Sequence, residues 1–249
     1  MAILLTNDDG FNALGIQEIY KKLKLEDDIK IIAPKDNCSG MSASITLKKD
    51  VHLEKVDNSC YIVDGTPADC SYLGLTSLFL GEISQVISGI NLGANLGNDV
   101  LYSGTVGAAL AGRGLEHPPI AISVASYTPL DIDFISEISS RLVHKIRSKN
   151  LSSNILVNIN IPDIKENHYK GIKVTKLNYV RPISFPNQIN ESSSNPIFQI
   201  GPSRIPSQVP ENTDVHAVNT GYISVTFLDY TLSIDSSFLP ENIEIELNA

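Results

Sequence analysis

Ala2 to Thr6 is an unbroken apolar run that stops at Asn7-Asp8-Asp9-Gly10, the pattern of a parallel strand buried on both faces. Ile16, Ile19, Tyr20 and Leu23 then recur at helical spacing and predict a helix with one apolar face. Ile29 to Ala33, closed by Pro34, predicts the second strand, so the chain opens with a right-handed strand–helix–strand crossover. The alternation returns with a helix over Thr66 to Leu80 that starts near Pro67, and a strand over Gln85 to Ser88. A small-residue helix over Thr105 to Leu115 and a strand over Ile120 to Val124 follow. Asp131 to Lys149 carries Ile135, Ile138, Leu142 and Ile146 along one face. Its acidic start at Asp131 and Asp133 and its basic end at Lys145, Arg147 and Lys149 both suit the helix dipole. Leu156 to Ile161 and Gly221 to Thr226 complete the expected strands.

Repeated βα units predict an α/β fold on a mostly parallel sheet. Two regions break the rhythm. Ser44 to Val63 alternates at Ile45/Leu47 and Val51/Leu53 as a β-hairpin excursion would. Pro182 to Asp214 is rich in Pro, Ser and Asn and too sparsely apolar for its own core, which predicts an extended C-terminal arm ordered by a partner subunit. The expected organisation is one domain over 1–249, with a core of about 1–180 and 215–235 and an arm of about 182–214.

Composition narrows the function classes. With 249 residues, 42% hydrophobic and 19% charged, the chain has the makeup of a globular protein. Its 19 Lys+Arg against 28 Asp+Glu leave a net charge of -9, which opposes binding to a nucleic-acid backbone. Any phosphate handled here is expected to be small, with its charge cancelled locally. Cys38, Cys60 and Cys70 are odd in number and lack a CxxC spacing, so they read as reduced thiols. The apolar start lacks a basic flank and runs into two aspartates, unlike a signal peptide or membrane span. A cytoplasmic protein with no membrane partner is the expectation.

Candidate chemistry belongs in the loops beyond the carboxyl ends of the strands, where ligands bind in open parallel sheets. The first such loop holds Asp8 and Asp9, adjacent carboxylates that repel unless a cation sits between them, although one could equally cap the next helix. The second, Asn37 to Ser44, is small and hydroxyl-rich and could bring Ser39 back toward the first. The third runs from Ser88 to Gly97, with Asn91 and Asn95 among three glycines, and continues to Ser103-Gly104-Thr105 at a helix start, whose free N–H groups suit a phosphate. Carboxylate, hydroxyl and carboxamide oxygens together describe a hard-cation site for Mg²⁺ or Mn²⁺. The five histidines, at 52, 117, 144, 168 and 216, show no zinc-ligand spacing.

Taken together, Thr6 to Gly10, Ala33-Pro34 with Ser39-Gly40, Gly65 to Cys70, and Ser88 to Asn91 through Gly97 to Val106 resemble the SurE family of survival-protein nucleotidases. The likeness extends to Ala217-Val218 and Gly221 to Thr226, so it covers nearly the whole chain. It implies a Rossmann-like three-layer core and an arm used in homodimer or homotetramer assembly. It also implies one divalent cation per subunit, ligated by Asp8, Asp9, Ser39 and Asn91, with Asn95 and Ser103-Gly104-Thr105 near the substrate phosphate. The implied activity is hydrolysis of nucleoside 5′- and 3′-monophosphates, with some action on short polyphosphate. Cys38, Ala111 and Phe227 stand where members of that family commonly carry Arg, Glu and Pro; without the guanidinium's charge-assisted hydrogen bonds, weaker phosphate attraction or a changed substrate preference is the expectation.

The expected mechanism is in-line attack by an activated water, with Asp8 and Asp9 as metal ligands and one of them as the base that orients it. An aspartyl-phosphate route ranks lower, because the two aspartates are adjacent rather than spaced by one residue. From another class, a non-catalytic nucleotide-binding sensor could use the same cleft. Two carboxylates facing a phosphate gain nothing in such a sensor unless a metal is present.

Overall fold

The computed structural model describes residues 1–149, 151–179, 186–190, 194–200 and 209–230. In chain order the elements are β1 (Ala2–Thr6), α1 (Leu14–Leu23), β2 (Ile29–Pro34), β3 (His52–Lys55), β4 (Cys60–Asp64), α2 (Pro67–Leu73), β5 (Ile83–Leu92) and α3 (Gly104–Leu110). They continue with β6 (Ile120–Val124), α4 (Ile132–Arg147), β7 (Ile155–Ile161), β8 (Ile172–Thr175), β9 (Asn187–Gln188), β10 (Phe198–Gln199), α5 (Asp214–Asn219) and β11 (Ile223–Asp229).

Strands β3-β4-β2-β1-β5-β6-β7-β11-β8 form one nine-stranded sheet, parallel throughout except at β3–β4 and β7–β11. Because side chains alternate across a strand, β1 sends Ile3 and Leu5 to one face and Ala2 and Leu4 to the other. Ile3 and Leu5 meet Ile16, Ile19 and Leu23 of α1 and Ile135, Leu142 and Ile146 of α4. Leu4 packs with Cys70 of α2 and Val86, while α3 covers Ala121 and Leu156 through Val106 and Ala109. Helices on both faces of the sheet make the expected three-layer α/β fold. No helix among the described residues is long and apolar enough to cross a membrane.

Local chemistry sets the helix ends. Thr66 and Asp69 form a reciprocal capping box at α2, and the Asp131 carboxylate caps α4 by accepting from Phe134 N–H at 3.0 Å. Differences from the sequence reading lie at boundaries and in irregular segments. The hairpin is confined to β3 and β4, with Ile45 and Leu47 outside any strand, and β4 joins the main sheet beside β2. Thr46 there is tied instead to the Asp69 carboxylate, so side-chain bonds replace a ladder. β5 runs on to Leu92, α2 continues as a wide turn over Gly74–Leu78, and α3 ends at Leu110. In the expected arm, β9 and β10 pair with each other as a two-stranded sheet among the described residues. Its residues 182–185, 191–193 and 201–208, like 231–235 of the expected core, lie outside the described residues.

At the opposite end of the sheet from the aspartate loop, Asp27 joins the α1–β2 connection to the last turn of α4. It bonds to His144 Nε2 at 2.8 Å and to Arg147, with only 14% of its side chain exposed. Burial pushes its carboxyl up, but the hydrogen bonds from His144 and Arg147 outweigh it and hold the pKa below the ordinary 3.8. This contribution to stability is therefore full above about pH 4 and lost as the pH falls through the lowered value. Asp27→Asn is expected to cost about 1 kcal/mol at neutral pH, less in high salt. Urea midpoints of the two proteins should converge below pH 3; a gap that persists there contradicts the ionic account.

Candidate active site

The chain leaves β1 for β2 on one side and later returns to β5 on the other, so the crevice beyond the carboxyl ends of β1 and β5 is a topological switch point. Asp8 and Asp9 stand directly at its floor. Asn7 Nδ2 donates to Gly10 O at 2.8 Å, and Gly10 takes φ of 108°, a left-handed conformation that side chains resist. This tight turn holds both aspartates at the strand end.

Asp8 is 4% exposed. Its Oδ1 accepts from the Thr105 hydroxyl at 2.6 Å, and the Thr105 backbone amide also serves the carboxylate. Gly104 lies against the same group, because a methyl built there would fall 2.8 Å from both Cβ and Oδ2 of Asp8. Asp9, partly exposed, accepts from Asn37 Nδ2 at 3.0 Å and from Leu92 N–H at 3.1 Å. Burial pushes the Asp8 pKa up to about 6, against the Thr105 hydrogen bond and with help from the charge of Asp9. Burial also raises Asp9, opposed by the bonds from Leu92 and Asn37. Both neighbouring carboxyls therefore resist ionisation, a cost that a positive charge beside them would relieve.

The loop after β2 is drawn in by Cys38 N–H, which donates to Asp8 O at 2.7 Å, while Ser39 N–H bonds to Asn37 Oδ1 at 3.0 Å. Asn91 sits on β5 itself, one residue before the Leu92 amide that holds Asp9, and donates Nδ2 to Gly93 O at 2.6 Å. Its Oδ1 remains for a ligand. Among the described residues Ser39 and Asn91 hydrogen-bond neither carboxylate; it is their chain neighbours, Cys38 with Asn37 and Leu92, that bond to Asp8 and Asp9. Ser103 caps α3 by accepting from Val106 N–H at 3.1 Å, which leaves its hydroxyl proton to donate elsewhere. Asn95 is buried and reaches Thr105 Oγ1 with Nδ2 at 3.5 Å.

Hydrogen bonds thus join Asp8 to Thr105 and Thr105 to Asn95, and Asp9 to Asn37 and to the backbone next to Asn91, while Ser39 and Ser103 adjoin these residues only along the chain. Asn37 escaped the sequence reading, although it lies two residues from Ser39 in a loop already singled out. Asn158 and Asn160, buried behind Asn95, also escaped; polar residues two apart in the apolar run Ile155 to Ile161 are the signal that could have found them. No cluster of three or more His, Cys, Asp or Glu that could hold a metal ion exists among the described residues.

Comparison with known proteins follows this geometry. Residues 3–182 match the family model described as Survival protein SurE. A relative from Marinomonas sp. (strain MWYL1) named 5′-nucleotidase SurE is 42% identical over 226 residues, covering 91% of this chain and 90% of the relative. Another of that name from Legionella pneumophila subsp. pneumophila (strain Philadelphia 1) is 40% identical over the same length, with 91% and 90% covered. The crystal structure of the SurE protein from Aquifex aeolicus superimposes with a TM-score of 0.83 at 34% identity, covering 94% of this chain and 95% of that one.

Proposed function

The chain belongs to the SurE family, and from that premise we propose that it is a 5′-nucleotidase, a hydrolase that converts nucleoside 5′-monophosphates to nucleoside and phosphate. The observation that carries this reading is the pair formed by buried Asp8 and half-buried Asp9 at the sheet's switch point. We extend it to 3′-monophosphates and short polyphosphate on the strength of the family resemblance.

One divalent cation per subunit, Mg²⁺ or Mn²⁺, fits this donor set. The available ligands are hard oxygens, burial discourages leaving both carboxylates charged and uncompensated, and no thiol–imidazole cluster competes among the described residues. We assign Asp8, Asp9, the Ser39 hydroxyl and Asn91 Oδ1 as its ligands. When bound, such a cation offsets phosphoryl charge and acidifies water in the crevice.

The protein's own groups do the remaining work. Thr105 holds Asp8, and Asn37 with the Leu92 amide holds Asp9, so both carboxylates are oriented before substrate arrives. Asp8 or Asp9 orients the attacking water for in-line displacement. The Ser103 hydroxyl, the Gly104–Thr105 backbone and Asn95 line the phosphate side, where they stabilise charge that grows in the transition state. Assembly as a homodimer or homotetramer through the 182–214 arm, and a cytoplasmic location in keeping with three free buried thiols, complete the proposal.

Purified protein incubated with 5′- and 3′-nucleoside monophosphates should release phosphate with Mg²⁺ or Mn²⁺. A chelator should stop release, and added metal should restore it. Nucleotide binding without turnover under any metal would return the cleft to the role of a sensor.

A further inference from the structure

Behind the carboxylates lies a polar layer that the catalytic reading leaves unused. Asn158 and Asn160 of β7 and Ser123 of β6 are all fully buried, and Ser123 stands opposite Asn160 in the ladder. Two residues apart on one strand, the asparagines face the same side of the sheet.

All three side chains converge on Asn95. Its carbonyl accepts from Asn158 Nδ2 at 2.9 Å and from Asn160 Nδ2 at 3.0 Å. Its N–H donates to Asn160 Oδ1 at 2.8 Å, and its own Nδ2 donates to Ser123 Oγ at 2.8 Å. Four directed bonds from the middle of the sheet therefore fix the backbone and side chain of one loop residue. Burying carboxamides for this is costly, and Asn158 Oδ1 has no hydrogen-bond partner among the described residues.

Tethering the loop does not require such a device. The far end of the same turn is already held by the fully buried Asp214, whose Oδ2 accepts from Gly97 N–H at 2.7 Å. What the four bonds add is direction. The Thr105 hydroxyl donates to Asp8 Oδ1 at 2.6 Å, which leaves its oxygen to accept, and Asn95 turns its Nδ2 toward that oxygen at 3.5 Å. Donors thus run in one sense from Asn95 through Thr105 to Asp8.

We propose that Asn158 and Asn160 are positioning residues for the hydrolytic site, holding Asn95 so that its amide supports the Thr105–Asp8 bond and faces the substrate phosphate. This rests on the nucleotidase reading above. The clamp acts from the second layer and touches neither substrate nor metal ligand.

Asn158→Leu and Asn160→Ala test it, with kcat and KM for a nucleoside monophosphate and Mn²⁺ measured beside wild type. Asn158→Leu should lower kcat roughly tenfold, and Asn160→Ala by roughly ten- to a hundredfold, with KM moving much less. Thermal unfolding of Asn158→Leu should match or exceed wild type, because an unpaired buried oxygen is removed. In an Asn95→Ala background the kcat effect of both substitutions should shrink, since the residue they position is gone. Folded variants with wild-type kcat, or losses undiminished in the Asn95→Ala background, overturn the clamp alone. A wild-type protein that releases no phosphate overturns the nucleotidase reading and the clamp with it.

Discussion

Asp8→Asn is expected to lower phosphate release by roughly a thousandfold or more while making the metal-free protein more stable at neutral pH. The first half follows from removing a charge where several kcal/mol of transition-state stabilisation converge. The second follows from burial. The Asp8 carboxyl, 4% exposed, has its pKa pushed up from 3.8 to about 6. A carboxyl raised in the folded state leaves stability unchanged below its unfolded value, and the fold loses stability as the pH rises from there through the folded value. With about 1.4 kcal/mol per unit, the penalty reaches up to about 3 kcal/mol above pH 6. Asparagine keeps an oxygen to accept from Thr105 and removes that penalty. Chelator-treated wild type should weaken between pH 4 and 7 by more than the variant, in which raised carboxyls such as Asp9 still titrate, as urea unfolding would show. An Asp8→Asn protein that is less stable at pH 7.5, or that still turns over, would mean that the carboxylate serves the fold.

Gly104→Ala should reduce kcat/KM by roughly a hundredfold without unfolding the protein. Alanine is intrinsically better than glycine in a helix by about 1 kcal/mol, and Gly104 opens α3 without the positive φ that would demand glycine. The demand comes from contact, since a methyl there would lie 2.8 Å from Asp8 Cβ and Oδ2. The carboxylate must then move, and a displacement of about 1 Å at a reacting centre costs on the order of a hundredfold. Circular dichroism should remain native. Wild-type turnover by a folded Gly104→Ala protein would remove Asp8 from the reacting geometry.

The two substitutions probe one carboxylate from opposite sides. Asp8→Asn leaves the packing and removes the charge; Gly104→Ala leaves the charge and shifts its place. Agreement between them would assign the loss to Asp8 itself rather than to a disturbed loop.

Much of this was legible in the chain because the relevant signals are local. The apolar runs of β1, β2, β6 and β7, and the face formed by Ile135, Leu142 and Ile146, follow from burial on one or both sides of an element. Adjacent aspartates directly after an apolar run are equally compatible with a helix cap, and they point to a ligand loop only together with the oxygen-rich loops after β2 and β5. Other features depend on distant partners. Ile45 and Leu47 have the alternation of a strand, yet that segment is tied by Thr46 to Asp69, an interaction across 23 positions that no local pattern encodes. Asn91 reads as loop but lies in β5, because pairing with Ser123 of β6 prolongs the strand.

By itself, then, the sequence determined the α/β alternation, the two carboxylates and the oxygen-rich loops, since each depends on hydrophobic period or on residue type within a few positions. Only the tertiary structure decided which atom meets which: Asn37 on Asp9, Thr105 and Gly104 on Asp8, and Asn158 with Asn160 behind Asn95. The physical reason is that hydrogen bonds and close packing act over about 3 to 4 Å between residues as many as 120 positions apart, and only the folded sheet brings them within that range.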